Sequence, residues 1–452
     1  MIKNTEALLS HGHREAREKA LDIVTHALNA CDPLKATRRF VTLDGSRLSL
    51  GYQAIDLDRF RRIFVIGSGK ATYLQAVALE EILGDRITGG LVVVKDGQKG
   101  PLKHIRIKEA AHPVPDQRSF DACREILEIA DNAGSDDLVI CAMSGGISSL
   151  CIQPVPGISL ADKIEVNRLM VHSGADVTEI MSVRRHLSRV KGGRLVERIQ
   201  PAVTVALTVS DAIGDPIEWN TDWTSPDSST FEDAVRILKK YTVWDLCPQA
   251  VKDYFAVFDP AKETPKSLAD CEIYTQMTVR IKDLWTAAVE RASEIGLTPH
   301  LLTTTLCGES REVGRALASI AAESAVTGNP FQPPCALIAS GETAVRVMAD
   351  KKGLGGANQE LAAGAALNLV REHCIAVCAL DTDGTDGPTH LAGALTDYST
   401  VSRAAQKGYD VYRVLLEHDI TPLLMDLDDA VDTGSTGTNV NDLVVMVVLP
   451  TP

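Results

Sequence analysis

The sequence predicts an α/β fold with a doubly wound parallel sheet, divided into two domains or two large lobes. Its 452 residues exceed what one hydrophobic core usually organises, since about 150 residues per domain is typical. The segment RIFVIGSGKATYLQAVALEEIL runs from an apolar strand through a glycine turn into an alanine-rich helix, which is a βα unit. Five further short apolar runs have the composition of buried parallel strands: GGLVVVKD, DDLVICAMSGG, AVTVALTVSDA, CALIASGETAV and CIAVCALDTDG.

All six runs break into Gly, Ser or Asp at the carboxyl end. In doubly wound sheets, ligands bind outside the carboxyl ends of the strands. We therefore expect the polar residues of these ends to gather at one edge of a sheet and to form the functional site.

Composition excludes several classes of protein. Hydrophobic residues make up 45% of the chain and charged residues 23%, as in ordinary globular proteins. No run approaches the ~20 apolar residues that span a bilayer, and the N-terminal segment MIKNTEALLSHGHREAREKAL lacks the apolar core of a signal peptide. A cytoplasmic protein is expected.

The net charge of -14 argues against nucleic acid or an anionic membrane as the main partner, because both are held by clustered Lys and Arg. The ten cysteines are scattered through apolar contexts without the spacing of a zinc site. They are expected to be buried free thiols.

The pattern along the chain indicates three regions. Residues 1–45 have helical spacing, and the strand runs that follow place an N-terminal domain at residues 1–245. A mainly helical connecting region is predicted at 246–334, ending in the turn-rich segment TGNPFQPP. Residues 335–452 form the C-terminal domain.

The loop Gly67-Ser68-Gly69-Lys70 follows the first strand run and precedes a helix. Free helix amides and the helix dipole favour an anion there, and the lysine adds a full charge. The loop is not a Walker A motif, because Phe64 stands where the first glycine belongs. Thr72 replaces the third glycine of a dinucleotide fingerprint. A phosphate or carboxylate seat is favoured over a plain tight turn.

A second small-residue loop, Ser144-Gly145-Gly146-Ile147-Ser148, follows the run DDLVICAM. Its glycines would let backbone amides approach a ligand closely, and its hydroxyls could bind one. The GxSxG pattern of a serine hydrolase is absent here. A simple turn is the alternative.

A basic block covers Arg184, Arg185, His186, Lys191 and Arg194 in an otherwise acidic chain. Helical spacing would place Arg184 and Lys191 on about the same face. Such crowding of cations favours anion binding over a solvated surface.

Carboxylates stand at two predicted strand ends: Asp211 after AVTVALTVS, and Asp381, Asp383 and Asp386 in DTDGTDGPT. These groups suit Mg²⁺ or a general base acting on a hydroxyl. Asp211, Asp383 and Asp386 are the candidate metal ligands, with Asx-turn chemistry as the alternative for the second group. The hydroxyl-rich loop TGSTGTNVND, residues 433–442, precedes a last apolar strand, LVVMVVL.

Taken together, these segments resemble the glycerate 2-kinase family that carries a C-terminal MOFRL domain. The resemblance runs in order over nearly the whole chain, through the motifs GSGKAT, AAHPVPDQRS, SGGISSL, HSGADVTEIMSVRRHLSRVKGGRL, TVSDAIGD, SPDSSTFEDA, GGANQE, DTDGTDGPTHLAGA and TGSTGTNVNDL. It implies a Rossmann-like N-terminal domain, a smaller MOFRL domain, and an ATP- and Mg²⁺-dependent kinase site in a cleft between them.

The resemblance also implies roles for individual residues. Catalytic roles fall on Lys70, Lys191, Arg194, Asp211 and Asp386. Binding of substrate or nucleotide falls on the two small-residue loops, on Arg184, and on residues of the later motifs, namely Asn358, Glu360, Thr385 and Asn439. The implied partners are ATP and a small sugar acid, without nucleic acid or membrane, in a monomer or a homodimer.

Several motifs depart from the family pattern. The family's GGRNQE reads GGANQE, so Ala357 replaces a cation, and Ile147 stands at the third glycine of SGGGSAL. Thr221-Asp222-Trp223 replaces a Ser-Gly-Pro stretch, Met181 lies where an asparagine precedes VRKHLS, and Ala339 alters SGGET. Ala357 and Trp223 predict that the substrate is a hydroxy acid related to glycerate rather than glycerate itself.

Three functions follow from the sequence. The first is phosphorylation of a hydroxyl of glycerate, giving 2-phosphoglycerate, or of a related acid, where catalysis depends on positioning and charge neutralisation. The second is NAD(P)H-dependent hydroxypyruvate reduction, a label often given to proteins of this family, which the incomplete fingerprint at Thr72 disfavours. The third is a catalytically silent ligand-binding homologue, which Ala357 favours.

Overall fold

The computed structural model describes residues 1–212, 222–347, 353–370 and 373–450. The chain divides into two compact units. We call residues 33–210 and 216–278 the parallel-sheet unit, and residues 1–32, 211–215 and 279–452 the mixed-sheet unit.

The parallel-sheet unit contains two sheets. Strands β1 (Val41–Asp44), β2 (Arg47–Leu50) and β3 (Gln53–Asp56) form a small antiparallel sheet. The main sheet has the order β6-β5-β4-β7-β8-β9, and its strands are β4 (Arg62–Ser68), β5 (Gly89–Lys95), β6 (Arg106–Ala110), β7 (Asp137–Met143), β8 (Val203–Val209) and β9 (Ile273–Val279). Neighbours from β6 to β8 pair in parallel.

Both faces of this main sheet are buried. Consecutive residues of β4, Val65 and Ile66, belong to two separate hydrophobic clusters. Helix Thr72–Leu83 contributes to one cluster, and helix Gln117–Asp131 contributes to the other. The sheet is therefore doubly wound, as the apolar runs predicted, because a strand that is buried on both faces needs helices on both sides.

The other helices of the parallel-sheet unit lie at its start and around the strand ends: Pro33–Phe40, Ile147–Leu150, Leu160–His172, Val177–His186, Arg194–Ile199, Phe231–Lys240 and Gln249–Ala256.

The mixed-sheet unit has one six-stranded sheet with the order β10-β11-β15-β12-β13-β14. Its strands are β10 (Thr298–Leu306), β11 (Cys335–Gly341), β12 (Ile375–Asp381), β13 (Gly393–Asp397), β14 (Ala430–Val431) and β15 (Asp442–Val448). Only β10 and β11 pair in parallel, and the remaining neighbours are antiparallel.

The prediction that CALIASG and CIAVCALD form parallel strands is therefore wrong for their pairing with β15. Both segments form buried strands, β11 and β12, but each pairs antiparallel with β15, which lies between them. A continuous apolar run indicates that a strand is buried on both faces, but it does not indicate the direction of the neighbouring strand. Since β11 and β12 run the same way, their carboxyl ends still lie at one edge of the sheet.

The helices of the mixed-sheet unit come from both ends of the chain: Thr5–Leu8, Arg14–Ala30, Ile281–Glu294, Ser310–Thr327, Ala357–Ala366, Ser399–Gln406, Val411–Leu416 and Ile420–Asp426.

The unit boundaries differ from the domain boundaries expected from the sequence. The first 32 residues belong with the C-terminal half, because buried Arg17 on helix Arg14–Ala30 donates to Asp397 (3.1 Å) and Asp429 (2.7 Å). The expected helical connection, 246–334, contains all of β9 and all of β10. An ion pair between distant segments leaves no local pattern in a sequence.

All ten cysteines are free, and eight of them are buried. The expectation of buried thiols is confirmed except at half-buried Cys271 and exposed Cys307. Among the described helices, none is both long enough and apolar enough to cross a bilayer.

Candidate functional site

Strand register brings the two small-residue loops of the parallel-sheet unit side by side. Ser68, at the end of β4, pairs with Met143, at the end of β7. The backbone N–H of Lys70 donates to Gly145 O (2.9 Å), and that of Ala71 donates to Ser144 Oγ (2.9 Å). Gly69 has a φ of +137°, and a Cβ there would overlap Ser144. This close approach explains the need for glycine.

Lys70 lies between the second loop and the AAHPVPDQ segment. A Cβ on Gly146 would come within 3.1 Å of Lys70 Cγ and 3.3 Å of His112 Cδ2. Ser149 Oγ donates to Pro113 O (2.5 Å), which ties the same segment to the loop. Lys70 and Ser148 are half-buried, whereas Ser68 is fully buried. Lys70, Gly146 and His112 thus surround one point at the carboxyl edge of the sheet, next to a 12-residue helix that begins at Thr72.

The basic block does not form a continuous helical face. Helix Val177–His186 ends five residues before Lys191, so the expected shared face of Arg184 and Lys191 is wrong. Lys191 is buried and its Nζ donates to Asp222 Oδ2 (2.6 Å). Arg185 Nε donates to the other oxygen of the same carboxylate (2.8 Å) and Nη1 donates to Asp227 (3.1 Å).

Asp222 is the centre of this arrangement. Its burial acts to raise the pKa of the carboxyl, but Lys191 and Arg185 outweigh burial and hold the pKa below its usual value. The backbone N–H of Gly192 also donates to it (3.3 Å). Lys191, which the sequence assigned to a ligand, and Arg185 of the same basic block therefore bind a side chain of the protein itself.

The remaining cations of the block have other contacts. Arg194 donates to the carbonyl oxygens of Ser188 (2.6 Å) and Lys262 (2.5 Å). Buried Lys163 donates to the carbonyl oxygen of half-buried Arg184 (2.9 Å). Burial lowers the pKa of Lys163 well below its usual range, and the neighbouring cations lower it further. Burial likewise lowers the pKa of Arg184.

Arg194 lines the larger of two cavities that bear on these predictions. This cavity of about 840 Å³ lies in the parallel-sheet unit, and the small-residue loops do not line it. Its basic and aromatic lining residues are Arg189, Arg194, Arg198, Tyr254 and Lys262. Arg194 therefore lines a cavity that Lys70 does not line.

In the mixed-sheet unit, several carboxylates lie at one edge of the sheet. Asp442, the first residue of β15, pairs with Gly341 on one side and Asp381 on the other. Burial, followed by the charges of Asp381, Asp386 and Glu342, raises the pKa of Asp442 well above its usual range. These four acidic residues line a cavity of about 360 Å³ together with Ala357, Asn358, Glu360 and His418.

Asp386 caps a helix inside this cavity. It accepts hydrogen bonds from the backbone N–H groups of Asn358 (3.1 Å) and Gln359 (2.8 Å), in the first turn of helix Ala357–Ala366. Burial raises the pKa of Asp386 to about 6 in spite of these bonds. The carboxylate therefore has a structural role as the cap of this helix.

Asp383 and Thr385 are joined by hydrogen bonds within their loop. Asp383 Oδ1 accepts from Thr385 N (2.7 Å) and Thr385 Oγ1 (2.6 Å), and Asp383 N donates to Asp381 Oδ1 (2.9 Å). These are the local turn contacts that were the alternative to metal binding. The role of Asp383 as a metal ligand stays a prediction.

Asp211 meets the hydroxyl-rich loop within the mixed-sheet unit. Asn439 Nδ2 donates to Asp211 Oδ2 (2.6 Å), and Asn441 Nδ2 donates to Asp211 O (3.3 Å). Two segments more than 200 residues apart in sequence thus come together at the predicted Asp211 and Asn439.

The donor set fits Mg²⁺ in chemistry, because carboxylate and amide oxygens crowd one cavity and hard cations take oxygen ligands. Within the described ranges, however, no three acidic, histidine or cysteine side chains are grouped closely enough to hold a metal ion by themselves. Mg²⁺ commonly needs only one or two protein carboxylates when phosphates supply the other ligands.

Comparison with known proteins identifies the family. The model of a domain of unknown function, DUF4147, matches residues 19–256, and the MOFRL family model matches residues 335–442. A protein from Thermotoga maritima named D-glycerate 2-kinase is 37% identical over 435 residues, covering 96% of this chain and 98% of that protein. A protein from Agrobacterium vitis named putative hydroxypyruvate reductase is 38% identical, covering 84% of this chain and 98% of its own.

A solved structure agrees with these matches. The crystal structure of glycerate kinase from Thermotoga maritima superimposes with a TM-score of 0.80 at 37% identity, covering 96% of this chain and 99% of that one. The chain therefore belongs to the glycerate 2-kinase family with a C-terminal MOFRL domain, as its ordered motifs predicted.

Proposed function

We propose that this protein transfers a phosphoryl group from ATP to a hydroxyl of glycerate or a related small sugar acid. The observation that carries this proposal is the 37% identity to a D-glycerate 2-kinase over nearly the whole of both chains. The neighbourhood of Lys70 supports it, because that site places a cation beside the N-terminus of a helix.

Lys70 is the cation that we assign to the phosphates. It follows a strand end and precedes the N-terminus of helix Thr72–Leu83, where the helix dipole favours an anion. Phosphoryl transfer depends mainly on positioning and on neutralising charge in the transition state. Lys70 supplies that neutralisation, and the loop around Gly69 and Gly145 shapes the seat.

We further propose that the reaction depends on Mg²⁺, which neutralises charge on the phosphates when it is bound. Asp211 and Asp386, with Asp383 as a third candidate, are the residues that would hold it. The crowding around Asp442, whose pKa is raised by burial and by neighbouring carboxylates, supports a need for positive charge at this edge.

Lys191 and Arg194 receive no catalytic role in this proposal. The buried bond of Lys191 to Asp222 and the bonds of Arg194 to two backbone carbonyls account for both side chains structurally.

The choice of substrate depends on Ala357. Ala357 lines the acidic cavity, where a cation in its place would attract the substrate carboxylate. Trp223 is fully buried in the core and does not bear on specificity. We therefore expect a hydroxy acid related to glycerate to be the better substrate.

The test is to supply purified protein with Mg²⁺-ATP and a panel of C3 to C6 sugar acids and to follow ADP release. ADP release that requires both a sugar acid and Lys70 supports the proposal. The variant Lys70→Met should lose the activity, whereas Lys239→Met, which removes an exposed lysine, should keep it. Activity that survives Lys70→Met would exclude Lys70 from phosphate binding.

Hydroxypyruvate reduction is the second candidate, because a relative at 38% identity carries that name. NAD(P)H absorbance is therefore read in the same assay with hydroxypyruvate. A change in absorbance without ADP release would replace the kinase by a reductase. If neither ADP release nor an absorbance change occurs, but a ligand raises the unfolding temperature, the protein is a binding protein.

A further inference from the structure

His418 and Glu360 face the acidic cavity of the mixed-sheet unit, and no sequence motif predicted that they would meet. His418 lies 58 residues beyond Glu360, and its Nδ1 is 2.9 Å from Glu360 Oε1. Both side chains line the same cavity as Ala357. Glu360 lies one helical turn after Ala357.

The contact orients the imidazole. When Glu360 is ionised, its carboxylate only accepts hydrogen bonds, so Nδ1 of His418 then donates in this contact. Nε2 is then the ring nitrogen left for a ligand, and it makes no hydrogen bond to any residue in the described part of the chain. Glu360 is fully buried, and its second oxygen, Oε2, lacks a partner among the described residues.

The backbone at His418 favours a different residue. His418 follows helix Val411–Leu416 with a φ of +56°, and its N–H donates to Leu415 O while that of Asp419 donates to Val414 O. Glycine or asparagine usually occupies this left-handed position after a helix. A histidine that accepts this conformation, with its ring held by a buried carboxylate, fits a functional role better than a packing role.

We propose that His418 Nε2 accepts the proton of the sugar-acid hydroxyl during phosphoryl transfer, and that Glu360 is the residue that positions it. This inference rests on the proposed kinase function. The bond from the hydroxyl oxygen to the γ-phosphorus forms as the bond from that phosphorus to the β,γ-bridging oxygen breaks, and ADP leaves with the electron pair. The hydroxyl proton passes to Nε2, and the Glu360 carboxylate stabilises the imidazolium.

Asp386 is less suited to this step, because its two carboxylate oxygens accept the N–H groups of Asn358 and Gln359. An orienting carboxylate, an imidazole and a free ring nitrogen reproduce the arrangement by which histidine bases generally act.

Other charges also act on this pair. Burial raises the pKa of Glu360, and the contact with His418 acts to lower it. Around the start of helix Ser310–Thr327, Glu309 acts to raise the same pKa and Arg311 acts to lower it. Asp419 adjoins His418 but accepts from Leu354 N, and Asp386 lines the same cavity. The pH dependence is therefore compared between variants rather than interpreted from a single profile.

The test measures ADP release as a function of pH with the best sugar acid of the panel, for wild type, His418→Gln, Glu360→Gln and the exposed control His172→Gln. We expect His418→Gln to lower kcat by about 10² to 10⁴, with KM nearly unchanged, and to remove the acidic limb of the profile. Glu360→Gln should also lower kcat with KM nearly unchanged, because the ring of His418 is then no longer held by a carboxylate. The control should match wild type.

A second variant, His418→Asn, tests the same role if His418→Gln does not fold. His418→Asn is tolerated at a left-handed position and should show the same loss if His418→Gln fails to fold. If wild type turns over and the folded His418 variants keep kcat within about twofold and the acidic limb, the role of His418 is overturned while the kinase function stands. If wild type releases no ADP with any sugar acid, the kinase function fails and the role of His418 fails with it.

Discussion

Replacing Lys191 by methionine distinguishes a structural from a catalytic role for this lysine. Its side chain is 4% exposed, and Nζ is 2.6 Å from Asp222 Oδ2. Methionine keeps most of the volume and removes the charge. The other oxygen of Asp222 would keep its bond to Arg185 Nε at 2.8 Å, so the carboxylate would lose one of two cationic partners.

The size of the effect follows from these contacts. Breaking a buried ion pair by removing one partner costs about 3–5 kcal/mol, because a charge is left without compensation. Since Arg185 still compensates Asp222, we expect Lys191→Met to lower the free energy of unfolding by about 2–3 kcal/mol. Asp222→Asn leaves two buried cations facing a neutral amide and should cost about 3–5 kcal/mol.

The assay is urea unfolding of wild type, both single variants and the double variant, followed by fluorescence of the tryptophans, of which Trp223 is fully buried beside the pair. A coupling energy of about 0.5–3 kcal/mol in the double-mutant cycle would show that the two side chains act on stability as a unit. ADP release per folded molecule is measured in parallel and should change little in Lys191→Met. An unchanged unfolding midpoint with a loss of kcat beyond about 10² would refute this reasoning and give Lys191 a catalytic role.

The same pair predicts a pH dependence of stability. The pKa of Asp222 is lowered in the folded state, whereas an unfolded aspartate titrates near ~3.9. The stabilisation is therefore fully present above the unfolded pKa and is lost as pH falls through the folded pKa. The difference in stability between wild type and Asp222→Asn should shrink on acidification, and a difference that grew instead would contradict the assigned ion pair.

Three further changes test other parts of the structure. Arg17→Met leaves the buried Asp397 and Asp429 without this shared cation and should lower the free energy of unfolding by about 3–5 kcal/mol in urea titration; a loss below about 1 kcal/mol would mean that the network contributes no more than a surface pair. Gly69→Ala puts a Cβ against Ser144 and should weaken ATP binding in calorimetry, whereas Gly45→Ala, also at positive φ but with open space around it, should leave binding intact; equal effects would exclude the steric explanation. Ala357→Arg adds a cation to the acidic cavity and should raise turnover of glycerate relative to other acids, and an unchanged preference would show that Ala357 does not set specificity.

Much of the fold could be predicted because its information is local. The runs that became β4, β5, β7 and β8 are mainly apolar and are followed by small or acidic residues, which marks both the buried strand and its functional end. The same reasoning located the loops around Lys70 and Ser144, and the register of β4 and β7 joins them.

Strand direction in the second sheet could not be predicted in this way. β11 and β12 are as apolar as the parallel strands, and what makes their pairing antiparallel is β15, which arrives 60 or more residues later in the chain. Nothing in a buried strand's own composition indicates which partner it will meet.

The missed residues of the site share one physical cause, which is contact between segments distant in sequence. Asp222 neutralises Lys191 across 31 residues, and His418 meets Glu360 across 58. A basic block in a sequence suggests an anion site as long as its counter-ion within the protein is unknown. A lone histidine after a helix gives no indication of which carboxylate it will contact. His112 could have been found, since AAHPVPDQ was already a recognised motif.

Steady-state ADP release by the purified protein with Mg²⁺-ATP and a panel of small sugar acids tests the central claim most directly. We predict that at least one hydroxy acid, glycerate or a close relative, stimulates ADP release in wild type, and that Lys70→Met abolishes this release while Lys239→Met preserves it. Absence of stimulated ADP release across the whole panel, from protein that is folded and free of inhibitor, would contradict the assignment of this chain as a sugar-acid kinase.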